Sequence, residues 1–577
     1  MKCSLKTLQH RKMSTLPTTV KEMRALGWDA VDAVLVTGDA YVDHPSFGAA
    51  VVGRLLEAEG LRVAVVAQPN WSDDLRDFRK FGAPRLFFGV TSGAMDSMVC
   101  HYTAHKRLRS DDAYTAGGEA GRRPDRAVTV YSQILKRLYP HTPVVVGGIE
   151  ASLRRLAHYD YWDDRLRPSI LTESGADLLV YGMADRTIVE VVRAMRNGFN
   201  AKLLRRLRQV AFVADGNYVA RLDGALMLNS FERCVADPAA FAENFVRTET
   251  ESNRLESDTT LVERVGDSYI IVNPPHPTLT ESEIDRSFDL PYARLPHPRY
   301  DGKGAIPAFE MIKFSVNLHR GCFGGCSFCA ISAHQGKFVV SRSERSVLAE
   351  VDRITKMPDF KGYLSDLGGP SANMYGMAGR DKTLCAKCLR PSCAWPSVCR
   401  NLDRSHARML SLYAQVRARK GIKKAFIGSG IRYDLFENDG GRYLREVVVN
   451  HTSGRLKVAP EHTEDTVLRL MRKPPFGSFV ALADDVACVC RAEGISCQVV
   501  PYFISSHPGC TERDMRRLSE KTRRLGCRIE QVQDLTPTPM TLSSVMFYCG
   551  FDPYTGEKLY VARSMDEKRK QKKWFFK

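Results

Sequence analysis

Three cysteines in one short segment, Cys322, Cys326 and Cys329, have the types and spacing that most clearly indicate chemistry. Gaps of three and two residues allow three thiolates to converge on one metal centre, and the glycines between and before them let the loop fold tightly around it. Three thiolates would leave one iron of a four-iron cluster without a protein ligand. A substrate or cofactor could bind at that iron.

Two other interpretations of the three cysteines are open. Zinc uses the same thiolates, and His319 or His334 could supply a fourth ligand that closes a structural site. Cysteines without metal are a second alternative, because free cysteine is among the most buried residue types. Three cysteines in eight residues beside paired glycines favour the iron–sulfur cluster over both.

A second group of four cysteines follows in the chain: Cys385, Cys388, Cys393 and Cys399. The first pair, separated by two residues, is typical of metal-binding hairpins, and four sulfurs would complete a tetrahedral site. The gaps of four and five residues before the later cysteines are irregular for zinc modules. Structural zinc, an auxiliary iron–sulfur cluster and four free thiols all remain open, and we predict a structural or accessory role. Cys510 and Cys549 are predicted to be buried thiols.

The first third of the chain predicts a parallel α/β domain. Five apolar runs indicate strands buried on both faces: Ala33–Thr37, Val63–Val66, Leu86–Phe88, Val144–Val146 and Leu178–Tyr181. Between the first two, a helical stripe starts at Pro45 and stops at Gly60. Strands joined by such crossovers indicate a doubly wound sheet, in which ligands bind at the carboxyl ends of the strands.

From Phe309 the β/α alternation resumes and predicts a second domain. Phe314–Leu318 alternates as a strand and delivers the three cysteines at its carboxyl end, where barrel active sites lie. Ser343 is a predicted N-cap for the next helix. Five more strand candidates follow: Gly362–Leu364, Ala425–Ile427, Leu456–Ala459, Val499–Ile504 and Gln531–Gln533.

Changes in pattern divide the chain into four predicted parts. Residues 1–200 form a Rossmann-like N-terminal domain, and 201–307 a connecting region whose polar and proline-punctuated stretches indicate extended or turn segments. Residues 308–550 form the β/α core, with a cysteine-rich insertion at 381–402. Residues 551–577 form a basic C-terminal tail, which is predicted to be peripheral and partly disordered.

The cysteine segment and its flanks, Phe314–Cys329, resemble the YgiQ family of radical S-adenosylmethionine (SAM) proteins. The resemblance extends from Gly38–Gly48 to the basic tail. It implies a partial (β/α)6 radical SAM barrel, a [4Fe–4S] cluster on Cys322, Cys326 and Cys329, SAM as co-substrate and a radical reaction. A reductant protein of the flavodoxin or ferredoxin type is the implied partner.

The resemblance also indicates four segments at successive strand ends: Asp366–Asn373, Gly428–Asp434, Pro460–Thr463 and Ser505–Thr511. In the first, Gly368 and Gly369 would lie against the methionyl amine of SAM, and Asn373 belongs to the same cofactor segment. In the second, Arg432 is suited to bidentate contact with a carboxylate. Each feature alone is common in turns or structural sites, so it is their repetition that indicates a cofactor site.

The N-terminal domain resembles the cobalamin-binding Rossmann domains that precede many radical SAM cores, at Gly147–Gly148 and Tyr181–Asp185. The Asp-x-His-x-x-Gly spacing of a cobalt-ligating histidine is not present, because Asp43 and His44 are adjacent and the glycine is Gly48. We therefore favour a domain that docks on the core or grips substrate over one that binds cobalamin.

The composition leaves a nucleic-acid partner open. The net charge is +18, and the basic tail, Lys568–Lys573, adjoins Trp574. A zinc-stabilised RNA-binding protein is therefore the alternative function. No apolar run approaches the ~18 residues of a membrane span, and the N-terminus has no apolar stretch of a secretory signal. Clustered cysteines without a disulfide framework predict a reducing compartment, the cytoplasm.

Overall fold

The computed structural model describes residues 15–196, 198, 200–436, 440–526 and 529–575. The chain folds into two compact units. The first contains the chain up to Ala236 with Ser257–Pro277 and Glu283–Lys313. The second contains the remaining stretches, Asp237–Glu256, Thr278–Ser282 and the chain from Phe314. The four domain boundaries expected from the sequence stay predictions.

The first unit is built around a nine-stranded sheet in the order Leu226–Met227, Leu261–Val265, Ser268–Val272, Val210–Ala214, Leu178–Val180, Val144–Gly147, Phe87–Thr91, Ala33–Thr37 and Val63–Ala67. The last five pair in parallel and are the five strands that the apolar runs predict. Numbered along the chain they stand in the order 2-1-3-4-5, a doubly wound arrangement. The predicted fold class is therefore confirmed for this unit.

Both faces of this sheet are covered by apolar cores. Ala33 and Leu35 pack into one cluster, whereas Val34 and Val36 pack into another. All four side chains are at most 4% exposed. Because successive side chains of a strand point to opposite faces, burial on both faces gives a continuous apolar run in the sequence.

Protein side chains fill the strand ends at which doubly wound sheets bind ligands. Arg123 is 1% exposed and donates to Asp39 at 2.8 Å and to Asp112 at 3.0 Å. The same guanidinium donates to the Ser92 carbonyl at 2.9 Å. Asp39 follows the strand Ala33–Thr37 and Ser92 follows the strand Phe87–Thr91. These two neighbouring strands are the ones between which the strand order changes direction. A buried cation held between two carboxylates makes this edge part of the framework.

The region 201–307 has more regular structure than its sequence suggests. Val210–Ala214 pairs antiparallel with Leu178–Val180, and the hairpin Leu261–Val265/Ser268–Val272 extends the sheet. The polar stretch at 248–252 is the end of the helix Pro238–Ser252. Short antiparallel strands at a sheet edge depend on pairing with their neighbours, so the composition of the segment gives little sign of them.

The second unit contains seven parallel strands at six positions, because Tyr363–Leu364 and Asp366–Gly368 follow each other directly along the chain. Ser315–Asn317 pairs with Asp366–Gly368, and Tyr363–Leu364 pairs with Lys424–Ala425. The other three strands form one ladder in the order Arg455–Glu461, Gln498–Ser505 and Gln531–Asp534. Every strand that the sequence predicts for this part is present, and helices lie between the strands along the chain. This confirms the predicted β/α core.

The α-helices of the described residues are Val20–Ala25, Gly48–Ala58, Arg76–Arg79, Ser97–His101, Ala127–Leu138, Gly148–Leu153, Ile170–Ser174, Asp185–Met195, Ala201–Leu204, Gly216–Val219, Phe231–Ala236, Pro238–Ser252, Glu281–Phe288, Pro307–Ile312, Ile331–Gln335, Glu344–Ile354, Lys382–Ala386, Ala407–Arg417, Arg442–Asn450, Asp465–Met471, Phe476–Glu493, Glu512–Arg524, Leu542–Cys549 and Met565–Lys572. Ser343 caps Glu344–Ile354 as predicted, with its hydroxyl accepting from the Ser346 N–H. Among these helices none is long and apolar enough to span a bilayer.

Four short antiparallel ladders complete the described strands. They are Val42–Asp43 with Leu295–Pro296, His158–Asp160 with Arg165–Arg167, His319–Arg320 with Val340–Ser341, and Ala378–Gly379 with Leu402–Asp403. The last two belong to the second unit and bracket its cysteine-bearing segments.

The C-terminal tail is predicted to be peripheral, and for residues 565–575 that prediction is wrong. The helix Met565–Lys572 packs on the second unit with Gln571 fully buried. Lys572 Nζ forms an ion pair with Asp534 at 2.7 Å, and Trp574 packs against the core of the unit. Specific partners hold the helix, which charge composition alone does not reveal. The last two residues lie outside the described residues.

Candidate metal and cofactor site

The segment Gly321–Cys329, here called the three-cysteine loop, follows the first strand of the second unit. The ladder between His319–Arg320 and Val340–Ser341 holds its start. Gly321 has a φ of +83°, and a side chain at this position would overlap the carbonyl of Phe338. The loop can take this path only with glycine there.

The three thiols of the loop differ in their contacts. Cys322 Sγ accepts from the Gly324 N–H at 3.4 Å, and Cys326 Sγ accepts from Arg432 Nη1 at 3.2 Å. Burial raises the pKa of Cys322. Burial and the charges of the two neighbouring cysteines raise the pKa of Cys329 to about 12. Without metal these two thiols would be protonated at neutral pH, so metal binding would release their protons.

The set of ligands that the loop offers bears on the kind of metal centre that it could hold. A zinc ion draws its sulfur ligands to about 2.3 Å from one point. A four-iron cluster takes one thiolate per iron, so its thiols surround a larger group. His319 Nε2 is hydrogen-bonded to the Ser371 carbonyl at 2.9 Å. Three thiolates are the donor set of a cluster that keeps one iron open.

A buried ion pair lies beside Cys326. Arg432 is 8% exposed, and its Nε donates to one carboxylate oxygen of Asp434 at 3.0 Å while Nη2 donates to the other. Burial disfavours ionisation of Asp434, but the charge and hydrogen bonds of Arg432 lower its pKa overall. The sequence predicts bidentate contact between Arg432 and a carboxylate. In the structure that carboxylate is Asp434, and the guanidinium bridges it to Cys326.

The segments expected at the second and third strand ends are bonded to each other. Asp366 Oδ1 accepts from the N–H of Gly428 at 2.8 Å and from the N–H and hydroxyl of Ser429, both at 3.1 Å. Asn373 Nδ2 donates to the Arg432 carbonyl at 2.9 Å, and its Oδ1 accepts from the Arg432 N–H at 2.8 Å. Asn373 thus fixes the backbone of Arg432 with both ends of its amide.

The two glycines of the predicted Gly-Gly contact face protein atoms. A Cβ on Gly369 would lie 2.6 Å from Nε2 of His319, and one on Gly368 would overlap the Ser429 hydroxyl. Close packing therefore requires glycine at both positions. A Cβ on Gly430, in contrast, would have no neighbour within 4 Å, and Gly430 is exposed. The open side of the joined segments is at Gly430.

The fourth strand ends in a strained acidic residue. Glu461 has a φ of +69°, which is uncommon for a residue with a side chain, and the strand pairing shifts register just before it. Its carboxylate lies 3.9 Å from Lys473 Nζ, and burial raises its pKa. Its charge also reaches Cys329. Backbone strain of this kind is concentrated at functional sites.

The histidines of the last two expected segments are packed into the protein. His462 accepts a backbone N–H through Nδ1 at 3.0 Å, and its Nε2 lies 3.5 Å from Cys510 Sγ, which donates to Gln571 at 3.5 Å. His507 Nε2 lies 3.1 Å from the hydroxyl of Ser327 in the three-cysteine loop. Burial lowers the pKa of both histidines to about 3. Cys510 is fully buried, as predicted, whereas Cys549 is only partly buried.

Sequence reasoning did not select three residues that organise this site: Asp366, Asp434 and Glu461. All three lie inside segments that the sequence singled out, but their bonding partners come from backbone and side-chain positions that spacing does not reveal. The strained backbone of Glu461 likewise has no signature in a single sequence.

A doubly wound N-terminal unit and a β/α core with a three-cysteine loop at its first strand end define a protein of the radical SAM class. The family model described as Radical SAM N-terminal matches residues 15–315. The UPF0313 protein of Bacteroides thetaiotaomicron is 54% identical, with 98% of this chain and 94% of the relative covered. That of Porphyromonas gingivalis is 56% identical, with 98% and 91% covered. The chain belongs to the UPF0313 family, of the YgiQ type, which confirms the predicted family.

Two solved structures of TsrM, a radical SAM methyltransferase from Kitasatospora setae, are distantly similar. Each is 14% identical, with TM-scores of 0.47 and 0.48. They cover 87% and 89% of this chain and 73% and 77% of TsrM. TsrM has tryptophan substrate and a SAM analogue bound in the first structure, and cobalamin and a [4Fe–4S] cluster in the second.

Proposed function

We propose that this chain is an enzyme that binds a [4Fe–4S] cluster through Cys322, Cys326 and Cys329 and cleaves SAM reductively to start a radical reaction. The observation that supports this most is the three-cysteine loop with the Arg432 N–H aimed at Cys326 Sγ, in a chain of a radical SAM family. Three thiolates leave the fourth iron for SAM.

When bound, the cluster and SAM supply one-electron cleavage of a carbon–sulfur bond and hydrogen abstraction from substrate, which no side chain can perform. Arg432 stabilises the Cys326 thiolate with a charged N–H···S bond, and such bonds tune the reduction potential of a cluster. Asp434 holds the guanidinium fork in the orientation that makes this bond. Arg432 is therefore a positioning and tuning residue in this proposal.

The joined segments at the second and third strand ends form the SAM site in this proposal. Asp366 and Asn373 fix the backbone, and Gly368 and Gly369 let the segments pack closely. In this proposal SAM enters beside Gly430, where a side chain would meet no described protein atom within 4 Å. Glu461, buried beside Lys473, is the acidic residue that would face the positively charged part of SAM in this proposal, since opposite charges attract strongly away from water.

The proposal includes a partner and a compartment. A low-potential protein of the flavodoxin or ferredoxin type supplies the single electron. Free cysteines in two close groups require a reducing environment, which favours the cytoplasm. A role in RNA binding is not favoured by any single observation, because Lys572 and Trp574 of the basic tail are engaged within the second unit.

Anaerobic reconstitution of the full chain with iron and sulfide tests the proposed chemistry. We expect brown protein that converts SAM to methionine and 5′-deoxyadenosine when dithionite is added. Protein that retains zinc alone and leaves SAM intact would contradict the proposal and support the zinc-stabilised RNA-binding alternative.

Gly430→Val tests where SAM binds. Its Cβ would meet no protein atom within 4 Å, so we expect iron content and thermal stability to match the parent. SAM cleavage should need a higher SAM concentration because the new side chain enters the open side. Gly48→Val, at an exposed glycine of the first unit with equally open surroundings, is the control and should leave cleavage unchanged. Parental SAM dependence of Gly430→Val would remove this position from the site.

A further inference from the structure

The four later cysteines lie in one closed segment of the second unit. The ladder of Ala378–Gly379 with Leu402–Asp403 joins the ends of this segment. Within it, backbone bonds connect Cys388 N to the Cys385 carbonyl at 3.1 Å and Cys399 N to the Cys393 carbonyl at 2.8 Å. We call Cys385, Cys388, Cys393 and Cys399 the four-cysteine group.

The thiols of the four-cysteine group are near one another and partly enclosed. Burial raises the pKa of Cys385 and of Cys393, and in both cases the charges of other cysteines of the group add to the effect. Asn401 Nδ2 donates to Cys385 Sγ at 3.3 Å. They are close enough for their charges to interact.

A buried lysine supplies positive charge beside this group. Lys337 is 1% exposed, and its ammonium donates to the carbonyls of Arg390 at 2.5 Å and Asn253 at 3.4 Å. Among the described residues no carboxylate lies within ion-pair distance of it. An ammonium buried without a counter-charge is strongly unfavourable. Its charge reaches the thiols of Cys393 and Cys385, so an anionic centre held by thiolates would provide the missing counter-charge.

The four-cysteine group also supports the back of the three-cysteine loop. Ser392 Oγ donates to the carbonyls of Phe323 at 3.0 Å and Gly324 at 2.8 Å. Cys393 N donates to the same Phe323 carbonyl at 3.0 Å. Cys322 of the loop and Cys393 of the group pack against one apolar cluster, formed by Phe323, Met374, Met377, Ala394, Leu402 and Leu435. This shared shell limits the access of water to thiols of both groups.

We infer that the four-cysteine group holds a second iron–sulfur centre, a [4Fe–4S] cluster with one thiolate on each iron. Such a cluster with four thiolates carries net negative charge, which Lys337 offsets. It has no open iron, so it binds no SAM. The buried lysine and the apolar shell favour an anionic centre held by the four thiolates over four free thiols.

Metal analysis of the full chain, reconstituted anaerobically with iron and sulfide, tests this inference. We expect about eight iron atoms per chain, from two four-iron clusters. Changing Cys385 and Cys388 together to alanine should halve the iron and lower the melting temperature, and SAM should still alter the electron paramagnetic resonance spectrum of the remaining cluster. Changing Cys322, Cys326 and Cys329 together to alanine should also halve the iron, but leave a cluster whose spectrum is insensitive to SAM.

Three results would overturn the inference. The first is one zinc per chain that is lost when Cys385 and Cys388 are changed to alanine. The second is iron for only one cluster, all of it lost when the three-cysteine loop is changed, and the third is an unchanged iron content in the variant that lacks both Cys385 and Cys388. These results are separable from failure of the proposed function. Loss of SAM cleavage with two clusters present would affect the proposed function alone.

Lys337→Met tests the counter-charge without touching a ligand. We expect iron to fall from about eight towards four per chain, with the SAM-sensitive spectrum retained. Lys382→Met, at an exposed lysine in the same closed segment, is the matched control and should keep the full iron content. Full iron content in Lys337→Met with an unchanged reduction potential would contradict the role of the buried ammonium.

Discussion

The three-cysteine loop and the four-cysteine group use a buried cation in different ways. Beside the loop, Arg432 is paired with Asp434 through Nε and Nη2 and donates an N–H of Nη1 to Cys326 Sγ. Beside the group, Lys337 donates only to carbonyls among the described residues and has no paired carboxylate. The first arrangement adds little net charge and one directed hydrogen bond. The ammonium of Lys337 adds a full positive charge but makes no hydrogen bond directed at a thiol that the structure describes.

This difference matches the two kinds of centre that we propose. A centre that must bind SAM needs an open ligand position and a tuned sulfur, and a directed N–H···S bond tunes a single ligand. A centre that is closed by four thiolates needs its total charge balanced, for which a non-directional ammonium is sufficient. The two cysteine groups therefore differ in the chemistry of their surroundings as well as in the number of their thiols.

Removing the cation of the three-cysteine loop should have the largest effect. Arg432→Met leaves Asp434 buried without its partner, so we expect a loss of stability of roughly 3–5 kcal/mol and SAM cleavage at background level. Arg432→Met with Asp434→Leu removes both charges and should recover most of the stability. Because the N–H···S bond is still missing, the double variant should keep a shifted cluster potential and slow cleavage. Recovery of the parental potential and rate would show that Arg432 acts only through its ion pair.

A second test asks why position 369 is a glycine. Either packing against His319 requires it, or the binding of SAM does. Gly369→Ala places a methyl group 2.6 Å from Nε2 of His319, so we expect destabilisation of about 1–3 kcal/mol and partial loss of cleavage. His319→Ala makes room, so the same change should have little further effect on stability or cleavage when it is made in the His319→Ala background. If Gly369→Ala still blocks cleavage there while iron is retained, the glycine faces SAM instead.

The smallest expected effect concerns His462, which is buried beside Cys510, a thiol outside both cysteine groups. Burial lowers the pKa of His462 to about 3, below the 6.5 of an unperturbed histidine. Between these values the unfolded chain binds more protons than the folded one, so stability falls as the pH drops from 6.5 towards 3. At pH 5 this amounts to about 2 kcal/mol for this histidine.

Replacing His462 checks this dependence. His462→Gln should lose less stability between pH 7 and pH 5 than the parent in urea unfolding. His141→Gln, at an exposed histidine, should behave like the parent. An identical pH response of His462→Gln and the parent would contradict the burial argument.

The sequence predicts local features of this protein well and long-range contacts poorly. The strand Ala33–Thr37 is buried on both faces, so its apolar run is visible in the sequence. The spacing of Cys322, Cys326 and Cys329 is equally local. The ion pair that holds Arg432 and the burial of Lys337 depend on packing between distant segments, and no spacing encodes them. The docked C-terminal helix shows the same limit, since its basic composition resembles that of a solvated tail.

The proposed role of the three-cysteine loop can be tested most directly with single alanine variants at Cys322, Cys326 and Cys329. After anaerobic reconstitution, iron and 5′-deoxyadenosine formation are measured for each variant and for Cys388→Ala. We predict that each loop variant loses about half of the iron and all SAM cleavage, because two thiolates do not retain the cluster. Cys388→Ala should keep the SAM-sensitive cluster. Parental SAM cleavage in any of the three loop variants would contradict the account.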